Sequence, residues 1–328
     1  MAAVKPSISP VRWTPPPVDP LPDFGPAELT IVPMPGDAPE DVVVDADGNL
    51  WTGLVDGRIV RVHEDGTTAV IADTGGRPLG LHAARDGRLL ICDSHRGLLA
   101  LDPGTGTLES LVTHVDGRPL KFCSNVTQTD DGTIYFTEST SRFHYEHFKA
   151  AVLEARGTGG LYRLNPDHTV STLADGLYFA NGVTTTTDGL VFAETHARRL
   201  SKYWLAGPQQ GTVTPLAVNL SGMPDNISTG TDGRIWVALV CPVNTAADWL
   251  AARPPVLRQL VWRLPDALQP RMPDEVWAVA FDPVDGSAVA GLRLEHPHFG
   301  QVTGLVEHNG RLWMSTIAHA ALAHCPIP

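Results

Sequence analysis

VTQTDDGTIYFTES, residues 126–139, is a short sentence of alternating apolar and polar residues, an Asp-Gly turn, and a second alternating run. Alternation at a period of two, broken by Asp-Gly, is the strongest short-range signal for a β-hairpin. The same sentence returns as VVVDADGNLWTG (42–53), HAARDGRLLICD (82–93), VTTTTDGLVFAE (183–194), ISTGTDGRIWVAL (227–239) and LVEHNGRLWMST (305–316). The turn glycines are Gly48, Gly87, Gly132, Gly189, Gly233 and Gly310. Most intervals are roughly 40 to 60 residues, and the last is longer, so each can hold a four-stranded unit.

Second hairpins fall between the first ones, as in GRIVRVHEDGTTAVIA (57–72), GLLALDPGTGTLESLV (97–112) and GGLYRLNPDHTVSTLA (159–174). Six separate small sheets would leave edges and faces exposed, whereas stacking them around an axis buries the faces and shortens the edges. The expected fold is therefore all-β, a six-bladed propeller of four-stranded antiparallel blades spanning 28–328, preceded by an extended arm at 1–27. Thr14-Pro15-Pro16-Pro17 favours that arm over a helix. Leu29-Thr30-Ile31-Val32 is placed as the outermost strand of the last blade. A short helix is expected from Tyr145 to Leu153, and the segment from Pro242 to Asp274 is read as a Pro-rich insertion. A pair of β-sandwiches explains the six-fold recurrence poorly.

Composition agrees with a turn-rich fold: the 328 residues include 31 glycines and 28 prolines. The net charge of -12 argues against nucleic acid or an anionic membrane surface as partner, and the partner expected is a small-molecule substrate. No apolar run reaches the roughly 20 residues a membrane helix requires. The N-terminus reads as neither a secretory signal nor an anchor, so a cytoplasmic location is expected. Cys92, Cys123, Cys241 and Cys325 lack metal-site spacing and are expected to be buried thiols, with a Cys92–Cys123 bridge left open.

Counting back from the turn glycines reaches the entrance of each inner strand, where the blades converge. Glu40, Asn181 and Asp225 lie eight positions before their glycines, and Asn125 and Asn226 seven. Any one of these could be a turn or cap residue. Two carboxylates and three amide oxygens in one phase of a repeat instead describe an all-oxygen ligand set for a hard divalent cation, most naturally Ca²⁺. The equivalents Gly80 and Thr303 would leave coordination room for water or substrate.

GRPLKFCSNVTQTDDGTIYFTEST (117–140), YFANGVTTTTDGLVFAETHARRLSKYWL (178–205), MPDNISTGTDGRIWVAL (223–239) and HNGRLWMSTIAH (308–319) resemble the calcium-dependent six-bladed propeller superfamily. That superfamily contains gluconolactonase, senescence marker protein 30, paraoxonase, squid-type diisopropylfluorophosphatase and strictosidine synthase-like proteins, and the resemblance is strongest to the last branch. It covers about residues 28 to 324. It implies a catalytic calcium on Glu40, Asn125, Asn181, Asp225 and Asn226, and leaves room for a second, structural calcium in the channel.

The paraoxonase-like members imply an assisting histidine pair, for which His82 and His95 are the candidates; His144, His196, His296 and His298 are further candidates at the mouth. The resemblance to strictosidine synthases implies an acid–base glutamate near the last blade, where this chain has Gly300 and Gln301. The expected activity is calcium-dependent hydrolysis of a lactone or related ester, with His82, Asp225 and Glu40 all candidates for activating water and Phe122, Phe143, Tyr178 and Phe179 for lining the pocket. The rival readings are phosphotriester hydrolysis, strictosidine synthase-like condensation, and a binding propeller whose calcium is structural.

Overall fold

The computed structural model describes residues 5–328 except 64, 166, 266, 267 and 270. It is a six-bladed propeller of four-stranded antiparallel sheets. The inner strands are Val43–Val44, Pro78–Ala83, Cys123–Gln128, Ala180–Thr185, Gly222–Thr229 and Val302–His308 for blades 1 to 6. Every inner strand enters at one end of the channel, here called the mouth, and turns back at the other through its hairpin.

Gly48, Gly87, Gly132, Gly233 and Gly310 have positive φ at these turns, as the Asp-Gly and Asn-Gly reading requires. Blade 4 departs from the pattern. Its turn is shorter, and Gly189 is already the first residue of the second strand, where a Cβ would overlap the Tyr203 carbonyl. Asp-Gly identified the hairpin correctly but placed its tightest point one residue late.

Both faces of a blade are covered, so neighbours on one strand bury into different interfaces. Leu50 packs toward blade 6 and Trp51 toward blade 2; Leu89 and Ile91 pack toward blade 1 while Leu90 and Cys92 pack toward blade 3. This explains near-continuous apolar runs such as LLIC, which a one-faced sheet would not tolerate. One hydrophobic cluster lies at each junction between neighbouring blades. Cys92 and Cys123 meet across the junction of blades 2 and 3 as free thiols, their sulfurs 3.1 Å apart.

The ring closes where Thr30–Pro33 pairs antiparallel with Ala321–Pro326, Ile31 opposite Ala323 and Val32 opposite Leu322. Strands from the two ends of the sequence thus share blade 6. Before this latch, residues 5–29 run largely without regular structure across the molecule. Ser9 and Val11 N–H groups bond Glu154, and the Trp13 N–H bonds the Ala251 carbonyl.

A cap covers the mouth, built from this arm and two insertions. The helix Phe148–Glu154 follows a 3₁₀ turn at Tyr145–His147, close to the expected helix. Among its described residues the Pro-rich insertion carries helices beyond the one expected at Tyr145 to Leu153, Thr245–Ala251 and Val256–Arg263. Asn244 caps the first by accepting the N–H groups of Ala246 and Ala247, and Pro255 sits at the start of the second, where proline is tolerated. Ile8, Phe143, Ala150 and Trp262 form the small core of the cap. Among the described residues no helix is long and apolar enough to cross a membrane.

The latch makes a direct prediction. Val32→Asp places a carboxylate in the cluster between blades 6 and 1, and should lower stability by about 2–4 kcal/mol in reversible denaturation. An unchanged denaturation midpoint would mean that closure does not depend on this strand.

Candidate metal centre at the channel mouth

Five of the six inner strands carry the same irregularity. In blades 2 to 6 the register with the second strand shifts at Leu79-Gly80, Ser124-Asn125, Asn181-Gly182, Asp225-Asn226 and Thr303-Gly304. Each is a β-bulge, in which two residues oppose one and the side chains are re-aimed out of the regular ladder. In blade 1, Glu40-Asp41 occupies the corresponding place just before the inner strand. The phase found by counting is thus a ring of bulges.

The second bulge position alternates around the ring between a glycine and a polar residue. Blades 2, 4 and 6 have Gly80, Gly182 and Gly304; blades 3, 5 and 1 have Asn125, Asn226 and Asp41. A Cβ on Gly80 would lie 2.5 Å from the Cα of Asn125, one on Gly182 2.6 Å from the Cα of Asn226, and one on Gly304 3.0 Å from the Cα of Asp41. Each glycine therefore makes room for the polar residue of the next blade. Asp41 and Asn125 also bond forward: Asp41 Oδ2 accepts the Leu81 N–H at 2.9 Å, and Asn125 Oδ1 accepts the Val183 N–H at 3.2 Å.

All five expected ligands meet in this ring. Asn125 Nδ2 donates to Asn226 Oδ1 at 3.0 Å, and Asn226 Nδ2 donates to Glu40 Oε2 at 3.3 Å, so blades 3, 5 and 1 are tied together through side chains. Asn181 accepts from Ser124 Oγ at 3.1 Å and donates to Thr195 Oγ1 at 3.2 Å. Glu40 and Asp225 are only 6% and 7% exposed, and Asp225 Oδ1 is buried with no hydrogen-bond partner.

Burial pushes the Glu40 carboxyl well above its usual range, and the neighbouring Asp225 and Asp41 push it further, while Arg77 and Asn226 oppose the rise. Burial likewise lifts Asp225 to about 8 and Asp41 to about 7. Like charges crowded out of water, with one carboxylate oxygen unpaired, are what a divalent cation would relieve. The donor set fits Ca²⁺: hard oxygens only, two from carboxylates and the others from neutral amides. Among the described residues no cluster of three or more His, Cys, Asp or Glu side chains has metal-holding geometry. The candidate centre depends on its amides.

The histidines are distributed differently from the expectation. His82 and His95 do not form a pair. His82 lies two residues past the bulge of blade 2 and, among the described residues, its ring makes no hydrogen bond to the carboxylates; burial lowers its pKa to about 4. His95 is turned to the cap: its Nε2 lies 2.6 Å from Glu146, and its ring stacks on His144 at 4.7 Å. His196 stacks under Trp13 of the arm at 4.2 Å; both its ring nitrogens are unpartnered, and burial lowers its pKa to about 3. His296 and His298 face each other edge-on at the rim of blade 6.

Of the proposed pocket walls, Phe122 and Phe179 pack edge-on at 5.5 Å, and Phe122 also meets Tyr145 at 5.9 Å. Phe143 belongs instead to the cap core, and Tyr178 stacks against Trp13. Gly300 packs against Asp274, whose carboxylate bonds His319 at 2.9 Å; a carboxylate from the insertion thus stands where blade 6 has none of its own.

Three residues escaped the sequence reading. Asp41 shares the phase of Asn125 and Asn226, and counting seven positions back from Gly48 would have found it. Tyr145 and Arg77 lie in connections at the mouth, where the repeat gives no phase. Arg77 stacks on Tyr145, its guanidinium carbon 4.7 Å from the ring centre.

Sequence comparison agrees with this architecture. A strictosidine synthase family model matches residues 125–208, and a strictosidine synthase-like N-terminal model matches 27–62. The chain is 32% identical over 292 residues to Protein STRICTOSIDINE SYNTHASE-LIKE 4 of Arabidopsis thaliana, covering 86% of this chain and 77% of that protein. It belongs to the strictosidine synthase-like family. It is also 32% identical over 246 residues to the adipocyte plasma membrane-associated protein of Gallus gallus, covering 68% of this chain and 59% of that one. A gluconolactonase structure from Xanthomonas campestris shares the fold with a TM-score of 0.67 at 19% identity, covering 99% of both chains. Virginiamycin B lyase from Staphylococcus aureus does so with a TM-score of 0.57 at 12% identity, over 92% of this chain and 99% of the lyase.

The bulge ring predicts that Gly182→Ala, which adds one methyl against the backbone of Asn226, should destabilise by about 1–3 kcal/mol. It should also weaken Ca²⁺ binding measured by calorimetry, because Asn181 and Asn226 would both be displaced. Wild-type stability and affinity in this variant would show that the interlock does not position the ring.

Proposed function

We propose that this chain is a calcium-dependent hydrolase of a lactone or related carboxylic ester. The observation that carries the reading is the buried Glu40 and Asp225 pair at the channel mouth, ringed by asparagine amides, with Asp225 Oδ1 unpartnered. The gluconolactonase named among the fold's relatives acts on a lactone, and the donor set here suits the same chemistry.

Glu40 and Asp225 would hold the ion, with Asn125, Asn181 and Asn226 as neutral donors that leave its positive charge largely uncancelled. When bound, Ca²⁺ supplies electrostatic stabilisation to the oxyanion that develops when water attacks the ester carbonyl. Asp225 would also orient the attacking water and take its proton, through the carboxylate oxygen that the ion leaves free. The aromatic edges of Phe122, Phe179 and Tyr145, with the cap above them, exclude bulk water and offer an apolar wall to the ester's carbon skeleton.

The reading is tested with Ca²⁺-saturated protein on a panel of small lactones, aryl esters and phosphotriesters. Lactone or ester turnover should depend on Ca²⁺, and Asp225→Ala should lower it by at least about 10²–10³-fold with the ring still folded. Turnover of phosphotriesters alone would replace the reaction class. No turnover of any of the three classes would overturn the enzyme reading.

Stability should also register the buried charge. Burial raises Asp225 from an ordinary 3.8 to about 8, so folding favours its protonated form. In metal-free protein this contribution is fully present below about pH 4 and is lost as pH rises through about 8. Relative to Asp225→Asn, metal-free wild type should therefore lose stability over this window, and Ca²⁺ should stabilise wild type more at pH 8 than at pH 5. Parallel pH profiles for the two proteins would show that Asp225 carries no buried charge.

A further inference from the structure

The mouth holds a cation that the ring of bulges does not consume. Arg77 precedes the inner strand of blade 2 and is 3% exposed. Its backbone N–H donates to Asp93 Oδ1 at 3.1 Å, and its Nη1 donates to the Ala38 carbonyl at 3.1 Å, two residues before Glu40. Tyr145, from the cap, lies against the guanidinium face. The side chain is thus held along its backbone, at one nitrogen and over its face.

Nε and Nη2 are left. Both are buried and neither makes a hydrogen bond of regular geometry, the Tyr145 hydroxyl being the polar group nearest in electrostatic reach. These two nitrogens share one edge of the guanidinium plane, the edge that presents parallel N–H bonds to the two oxygens of a carboxylate. Other buried arginines at the mouth have evident structural work. Arg198 pairs with Asp248, and Arg258 donates to the Leu153 and Val11 carbonyls, joining the cap helices to the arm. Among the described residues Arg77 makes no ion pair, and its bond to the Ala38 carbonyl, two residues before Glu40, sets the guanidinium next to the strand entrance that carries the candidate metal centre.

We propose that Arg77, backed by Tyr145, forms an anion subsite next to the Glu40–Asp225 centre and takes a carboxylate carried by the substrate beside its reacting ester. The substrate class is then an acidic lactone or ester. The word substrate rests on the hydrolytic reading above; the binding of a carboxylate does not. Shielded from bulk water, a bidentate charge-assisted contact is at its strongest, and an uncharged ligand of the same shape cannot replace it.

The test uses two probes that carry no ester or lactone bond, tetrahydrofuran-2-carboxylate and its neutral carboxamide, titrated calorimetrically into Ca²⁺-saturated wild type, Arg77→Met and Arg77→Lys. Ca²⁺ affinity and thermal unfolding are measured on each protein. Wild type should prefer the carboxylate. Arg77→Met should weaken it about 10- to 100-fold while leaving the carboxamide within about threefold, and Arg77→Lys should restore part of the loss.

Equal affinity of wild type for the two probes, unchanged carboxylate affinity in the Met variant, or equal loss of both probes in the folded variants would overturn the subsite. Equal loss would assign Arg77 to packing and to balancing Glu40. If Arg77→Met does not fold, the Lys variant decides by the same criterion: selective carboxylate weakening supports the subsite, and unchanged or equal weakening overturns it. Arg77-dependent carboxylate binding without any ester turnover would sink the hydrolytic reading and leave the subsite standing.

Discussion

Close backbone approach at the channel mouth is the constraint on which the rest of this structure depends. Gly80, Gly182 and Gly304 have no side chain because Asn125, Asn226 and Asp41 of the next blades occupy that space. The interlock repeats at every second junction, so it serves two ends at once. It keeps the narrow end of the blades packed, and it delivers polar side chains to an axis that regular strands would line with alternating residues. The bulges provide the second half of the device by letting adjacent residues such as Asp225 and Asn226 leave the ladder together.

The consequence is a concentration of acid where water is scarce. Glu40, Asp41 and Asp225 are each shifted toward the protonated form chiefly by burial. Asp41 has backbone N–H partners from Leu81 and Val42, which identifies it as a strut between blades 1 and 2. Asp225 lacks a donor on one oxygen, and Glu40 leans on an amide. That asymmetry separates a structural carboxylate from two that are free to serve a ligand. The cap completes the environment: Trp13, Tyr145 and the helices of the insertion lie over the mouth, so any substrate meets a site bounded by aromatic rings, with Arg77 in its wall.

The blades were legible in the sequence because hairpin chemistry is local. Alternation and Asp-Gly need only a dozen residues to declare themselves, and the phase they set reached Glu40, Asn125, Asn181, Asp225 and Asn226. Gly189 shows the limit, since a turn one residue shorter still carries the same dipeptide. Asp41 is readable by the same count, seven positions before Gly48. Arg77, Tyr145 and the pairing of His95 with Glu146 were not legible, because they depend on which connections meet above the channel. The helices of the insertion were hidden for another reason: each is too short to establish a period, and Pro254-Pro255 reads as a break until it is seen to begin a helix.

The proposed function requires that the ring of bulges bind calcium with one coordination position left open. Anomalous diffraction from crystals grown with Ca²⁺ tests it most directly. It should show one strong peak at the mouth, about 2.3–2.6 Å from oxygens of Glu40 and Asp225 and from at least one of the asparagine amides, with a position unclaimed by protein. A mouth without a peak at saturating Ca²⁺, or an ion completely enclosed by protein oxygens, would contradict it.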